Sequence, residues 1–152
     1  MARKTPPPIH GLLHPACGPV LRVRVRSPTG AQAEGLAVLD TGASLSAIDR
    51  RVALDLGLPS PGAAEWHAVT DTGAARAMAP LRRAAVQMMG DSQLFELDLI
   101  EVPSLQHAVR GSTVVALLGW NFLDRCRLVC DGPAGTFVLE LPDRLGPAHR
   151  RR

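Results

Sequence analysis

Between Leu21 and Leu141 the chain is interrupted at short intervals by turn-forming residues, and this limits its possible folds more than any other feature. Leu21-Arg-Val-Arg-Val-Arg26 alternates apolar and basic side chains, the period of a half-buried strand. Ser27-Pro-Thr-Gly30 turns it back, and Glu34–Leu39 resumes as a strand. Further strands are expected over Glu65–Thr70, Ala74–Met78, Arg83–Met89 and Leu94–Val102, with turns at Asp71-Thr-Gly73 and Gly90-Asp-Ser92. Thr113–Leu118 is almost continuously apolar, which suits a strand covered on both faces. Arg127–Cys130 and Thr136–Leu141 flank Asp131-Gly-Pro-Ala-Gly135 as a hairpin. Helix is expected over Asp49–Leu56, with Asp49 as N-cap and Gly57 and Pro59 as stops, and over the short Trp120–Asp124. Many short strands with regular turns define an all-β barrel or sandwich.

A chain of 152 residues, 46% of them hydrophobic, has the material for one domain with a real core. The net charge of +3 is carried by the ends, at Arg3, Lys4 and Arg150 to Arg152, and without them the body is slightly acidic. Aromatic residues make up 3% and Tyr is missing, which argues against a nucleic-acid surface. Three cysteines do not make a disulfide framework, so a reduced interior is expected. No apolar run is long enough to span a membrane. The opening MARKTPPPIHG lacks the apolar middle of a signal peptide. The reading is of a cytoplasmic protein, and the wealth of Ala, Arg, Gly and Pro points to a bacterial one. Residues 1–19 are expected as a flexible N-terminal segment, 20–141 as the domain and 142–152 as a basic flexible tail.

The segment that carries chemistry is Ala37-Val-Leu-Asp-Thr-Gly-Ala-Ser44. An apolar strand delivers an acid to a tight turn, and such an acid is costly to bury unless it is hydrogen-bonded or paired. Gly42 lets backbone N–H groups approach the carboxylate. Thr41 offers a hydroxyl able to bond across a symmetric interface, Ala43 leaves room for a substrate, and Ser44 is a further donor to the acid. Taken alone, Asp40 reads equally well as a turn residue or a helix cap.

Asp40-Thr-Gly-Ala-Ser44, preceded by Val38-Leu39, resembles the active-site signature of retropepsin-like aspartic proteases. About eighty residues later, Ala116-Leu-Leu-Gly119 followed by Trp120-Asn-Phe-Leu123 resembles the hydrophobic-hydrophobic-Gly element of those domains. There it forms the ψ-like loop beside the active site, with Leu117, Leu118 and Gly119 in support. Ile48–Pro59 and Arg127–Leu141 resemble the helix and last hairpin of the bacterial group. The resemblance spans roughly residues 20 to 141 and implies an all-β, closed, single-lobe acid-protease barrel with one or two short helices. It also implies a two-fold homodimer, because each chain supplies one acid, Asp40, where the chemistry takes two. Two carboxylates a few ångströms apart share a proton and activate a water that attacks the peptide bond, with no covalent intermediate. Thr41 would lock the two loops together and Gly42 would position substrate backbone. The implied partners are a peptide or protein substrate and a second copy of the chain, with no cofactor and no metal. A catalytically silent module, keeping the fold for dimerisation or peptide binding, is the alternative.

A second Asp-Thr-Gly occurs at Asp71-Thr72-Gly73, only 31 positions after Asp40. A two-lobed enzyme needs on the order of a hundred residues per lobe, and no apolar strand leads into Asp71. This stretch reads instead as the tip of the flap, with Thr72, Gly73 and Ala74 folding over bound peptide and Gly73 supplying backbone freedom. Elsewhere, His10, His14 and Cys17 form too loose a group for a metal site. Cys126 and Cys130 are expected as packed thiols, Trp120 and Phe122 as core, and Arg22, Arg24 and Arg26 as a solvated strand face.

Overall fold

The computed structural model describes residues 6–70, 73–106 and 108–141. In chain order these form β1 (Ile9–His14), β2 (Gly18–Arg26), β3 (Gln32–Leu39), β4 (Ala47–Asp49), α1 (Arg50–Asp55), β5 (Gly62–Thr70), β6 (Gly73–Met88), β7 (Leu94–Val102), β8 (Val114–Leu118), α2 (Trp120–Leu123), β9 (Arg127–Asp131) and β10 (Thr136–Glu140). The sheet order is β5-β6-β7-β4-β8-β3-β2-β1-β10-β9, and the far half of β6 also pairs with β2, Val25 opposite Val86.

The pairing around β8 places the site. β3 runs parallel to β8, with Leu39 opposite Leu118, and β4 runs antiparallel to it on the other side. Strands consecutive in sequence therefore flank β8, and the loop joining them must pass over the end of β8. Alternation puts Val23 and Val25 inside, in one cluster with Ile48, Leu99, Leu118 and Phe137. The rings of Phe95 and Phe122 meet edge to face at 5.2 Å within it.

Helix α1 starts where expected. Asp49 is its N-cap, with Oδ1 accepting from Arg51 N at 2.9 Å. β7 matches the expected Leu94–Val102 end to end. Other features depart from expectation. Ala74–Met78 and Arg83–Met89 are parts of one strand of 16 residues, β6. The break in pattern near Pro80 marks an exchange of partners: β5 pairs with β6 as far as Leu81, and β7 pairs from Leu81 onward. β4 is 3 residues long, too short to show a period. β1 lies inside the segment expected to be flexible over residues 1–19, and it pairs with β10. Its Gly11 is what admits the Phe137 ring, since a Cβ there would lie 2.4 Å from that ring. The expected tail, residues 142–152, lies outside the described residues.

Several side chains also differ from expectation. Phe122 is buried, but Trp120 is 48% exposed and does not join the core. Cys126 is half-buried, and burial first, then the Asp124 charge, push its thiol up to about 12. Cys130 is exposed rather than packed, because β9 is the last strand of the sheet among the described residues. Arg22 is exposed as foreseen, whereas Arg24 bonds Glu34 across β2–β3 and Arg26 bonds Gln87 across β2–β6. No helix among the described residues is long and apolar enough to cross a membrane.

Candidate active site

Ala37, Val38 and Leu39 are buried, and the next residue is where the chain must leave the sheet to cross β8. The Asp40 N–H donates to Leu118 O at 2.9 Å, extending the parallel pairing by one residue. The chain then turns, Ala43 N donating to Asp40 O at 3.3 Å. Gly42 N donates to Asp40 Oδ1 at 2.8 Å. A Cβ on Gly42 would stand 3.1 Å from that oxygen, so glycine permits the approach. The half-buried carboxylate is thereby fixed in direction while remaining accessible. The donor is a backbone amide, not Ser44, which is exposed and engages α2 through its carbonyl.

The loop after Asp40 is fastened to the Gly119 element. Trp120 N donates to Ala43 O at 2.8 Å and Asn121 N to Ser44 O at 3.2 Å. Asn121 Oδ1 accepts from Ser46 N at 2.8 Å and from Ser46 Oγ at 2.6 Å, and Asn121 Nδ2 donates to Asp98 O at 2.9 Å. Ser46 Oγ in turn accepts from Gly119 N at 3.0 Å. The Trp120 indole N–H donates to Thr41 O. A Cβ on Gly119 would lie 2.6 Å from Ala43 O and 2.8 Å from Leu45 O, so only glycine fits between the two segments. Ser46 and Asn121 escaped the sequence reading; Asn121 stands inside the Gly-Trp-Asn-Phe element, but nothing in its spacing names a partner 75 positions away.

A cavity of about 770 Å³ opens beside the loop. Gly42, Ala43, Ser44, Leu45 and Ala47 form one side, Leu117, Ile100 and Val102–Leu105 the floor and far wall, and Glu65, Trp66 and His67 of β5 the opposite side. Of the residues named from the sequence, Gly42, Ala43, Ser44 and Leu117 line it. Leu118 and Gly119 act from beneath, through the Leu118 carbonyl and the tight Gly119 contact. At the hairpin end Gly73 pairs with Thr70 and has φ +121°, a conformation that favours glycine. Ala74 pairs with Val69. Asp71 and Thr72 lie outside the described residues.

Asp49 braces the far wall. Its Oδ2 accepts from Leu105 N at 2.9 Å and Gln106 Nε2 at 3.1 Å. Burial pushes its carboxyl up, but these bonds and that from Arg51 N outweigh burial and hold it below the ordinary value. His14 Nδ1 and Cys17 Sγ lie 3.5 Å apart, and among the described residues no three His, Cys, Asp or Glu gather as metal ligands.

A β-domain with a lone acid on a loop threaded over a parallel strand pair defines a class, and comparison with known proteins names it. The sequence model of a family described as "Aspartyl protease" matches residues 23–122, from β2 into α2. The chain belongs to this aspartyl protease family. Among solved structures, a retropepsin-like aspartic protease from Rickettsia conorii superposes with a TM-score of 0.52 at 16% identity, covering 87% of this chain and 98% of that one. A Legionella pneumophila protein of unknown function aligns with a TM-score of 0.35 at 12% identity, over 69% of this chain and 83% of that one. No curated protein matches the sequence. The fold is retropepsin-like.

Proposed function

We propose that this chain is one protomer of a homodimeric aspartic endopeptidase in which Asp40 is the catalytic carboxylate. The observation that carries the reading is the setting of Asp40. Its backbone is pinned to Leu118, one carboxylate oxygen is held by Gly42 N, and the group stays accessible at the start of the loop whose next residues, Gly42 to Leu45, line a cavity wide enough for a side chain. The pairing of β6 back onto β2 supports the single-lobe, closed barrel such an enzyme uses.

The mechanism follows from charge. Two Asp40 carboxylates meeting across a two-fold axis cannot both ionise cheaply, so they share one proton and titrate as a pair. The ionised member takes a proton from a water between them, and the protonated member donates to the scissile carbonyl oxygen. The Gly42 amide fixes the direction of its partner oxygen, Thr41 would lock the two loops together, and Ala43 and Ser44 border the ground on which substrate lies. The β5–β6 hairpin, with Thr72, Gly73 and Ala74 at its end, would close over the peptide and exclude bulk water.

The test is cleavage of a mixed peptide library by the full chain beside Asp40→Asn, read by mass spectrometry across about pH 3 to 7, the span of carboxylate pair titration. Wild-type cleavage should fall on the order of a thousandfold or more in the variant. Equal cleavage by both proteins, or none by either, sinks the enzyme and leaves a binding module.

A further inference from the structure

We propose that the indole of Trp120 is the anchor through which two copies of this chain dock, seated against the partner beside the paired acids. The inference rests on the homodimeric reading above and adds to it the surface that makes contact. Single exposed apolar side chains are ordinary on protein surfaces. Leu54, Met78 and Leu12 are of that kind, standing on α1, the hairpin and β1.

Trp120 differs in how it is held. It is 48% exposed, yet it is held both by its backbone N–H and by its indole N–H. The backbone N–H donates to Ala43 O at 2.8 Å and the indole N–H donates to the carbonyl of Thr41, the residue after the acid. The polar atom of the side chain is satisfied within the chain, so what faces outward is apolar ring alone. The rotamer entropy that docking would otherwise consume has been removed in advance, which is how preorganised anchors gain affinity. The ring does not line the substrate cavity, whose wall on this side is Gly42 to Leu45.

The site itself names the occupant. One chain carries one Asp40, so the surface next to Thr41 must meet a second Asp40-Thr41 loop if the acid pair is to form. A two-fold interface uses every residue twice, so each copy contributes its own Trp120. Tryptophan is among the residues that most often dominate such contacts.

The chain has two tryptophans, so Trp66→Phe leaves Trp120 as the sole fluorophore. In that protein, emission should move to shorter wavelength as concentration rises, in step with dimer formation followed by sedimentation. Trp120→Ala should weaken the dimer about thirtyfold, and Trp120→Phe, which keeps a ring but loses the N–H, should weaken it less. If Trp120→Ala fails to fold, the emission series still decides. A dimer that forms with unchanged emission overturns the docking surface while leaving the acid pair intact. Emission that moves only when the peptide mixture is added to protein also carrying Asp40→Asn assigns Trp120 to substrate, and likewise overturns it. A protein monomeric at every concentration removes both readings.

Discussion

The loop from Asp40 to Ser46 and the β5–β6 hairpin border the same cavity and are held by opposite means. The loop is short, crosses the end of a buried strand and is tied by backbone and amide hydrogen bonds to β8 and α2. The hairpin is a two-stranded ribbon: among the described residues β5 pairs from Gly62 to Thr70 with β6 alone, and β6 meets β7 only from Leu81. Two-stranded ribbons are marginally stable by themselves. Glu65 lies 3.9 Å from Arg76 and 3.7 Å from His67, surface contacts worth little. The fold thus supplies a platform for Asp40 that many hydrogen bonds fix and, across the cavity, a wall held by fewer.

The comparison breaks most readily at the root of the hairpin. Glu101 is 5% exposed and receives Arg82 Nε of β6 at 2.7 Å and Arg50 Nε of α1 at 2.9 Å. Arg82 also donates to Leu58 O at 3.0 Å. Glu101→Gln strands a largely buried guanidinium, and urea unfolding should show a loss of about 3 kcal/mol.

On the platform, Gly119→Ala forces a methyl against two carbonyls that cannot move without unseating the loop. A loss of about 2 kcal/mol is expected, with faster hydrogen exchange at Asp40 and Gly42 than in wild type. An unchanged exchange pattern there would mean that the loop is not locked through Gly119.

The far wall responds to acid. The folded state keeps the Asp49 carboxyl below its ordinary value, so its contribution to stability is complete above the unfolded value of about 3.9. It is lost as pH falls through the folded value. Asp49→Asn should cost about 1 kcal/mol at neutral pH, because an amide N–H faces the Leu105 and Gln106 donors. Its denaturation midpoint should also depend less on pH below about 4.

The smallest effect belongs to the ribbon. Glu65→Ala should change stability by less than about 0.5 kcal/mol, and amides of β5 should exchange quickly in variant and wild type alike. Slow exchange there would erase the contrast.

Much of this site could be read in the chain. Asp40, Gly42 and, about eighty positions on, Gly119 stood out together: Asp-Thr-Gly alone has ordinary structural uses, but an apolar strand leading into it and a second apolar-Gly element later in the chain narrow them. Asp49 as a helix cap was equally plain, since capping is a local bond. Its second role, bracing Leu105 across 56 positions, was not, and neither was the Ser46–Asn121 bond. Trp120 shows the opposite failure: hydrophobicity alone sent it to the core, while the fold gave its N–H a partner on the surface.

Strand periods, turn chemistry and caps are fixed by neighbours within a few residues, so the sequence alone determined the β character, most element boundaries and the place of Asp40 at the end of an apolar strand. Threading β8 between β3 and β4, merging two expected strands into β6, and bringing Asn121, Gly119 and Ser46 to one point were decided by tertiary structure. Those contacts join positions far apart in the chain, and their energy exists only once the sheet has brought them together.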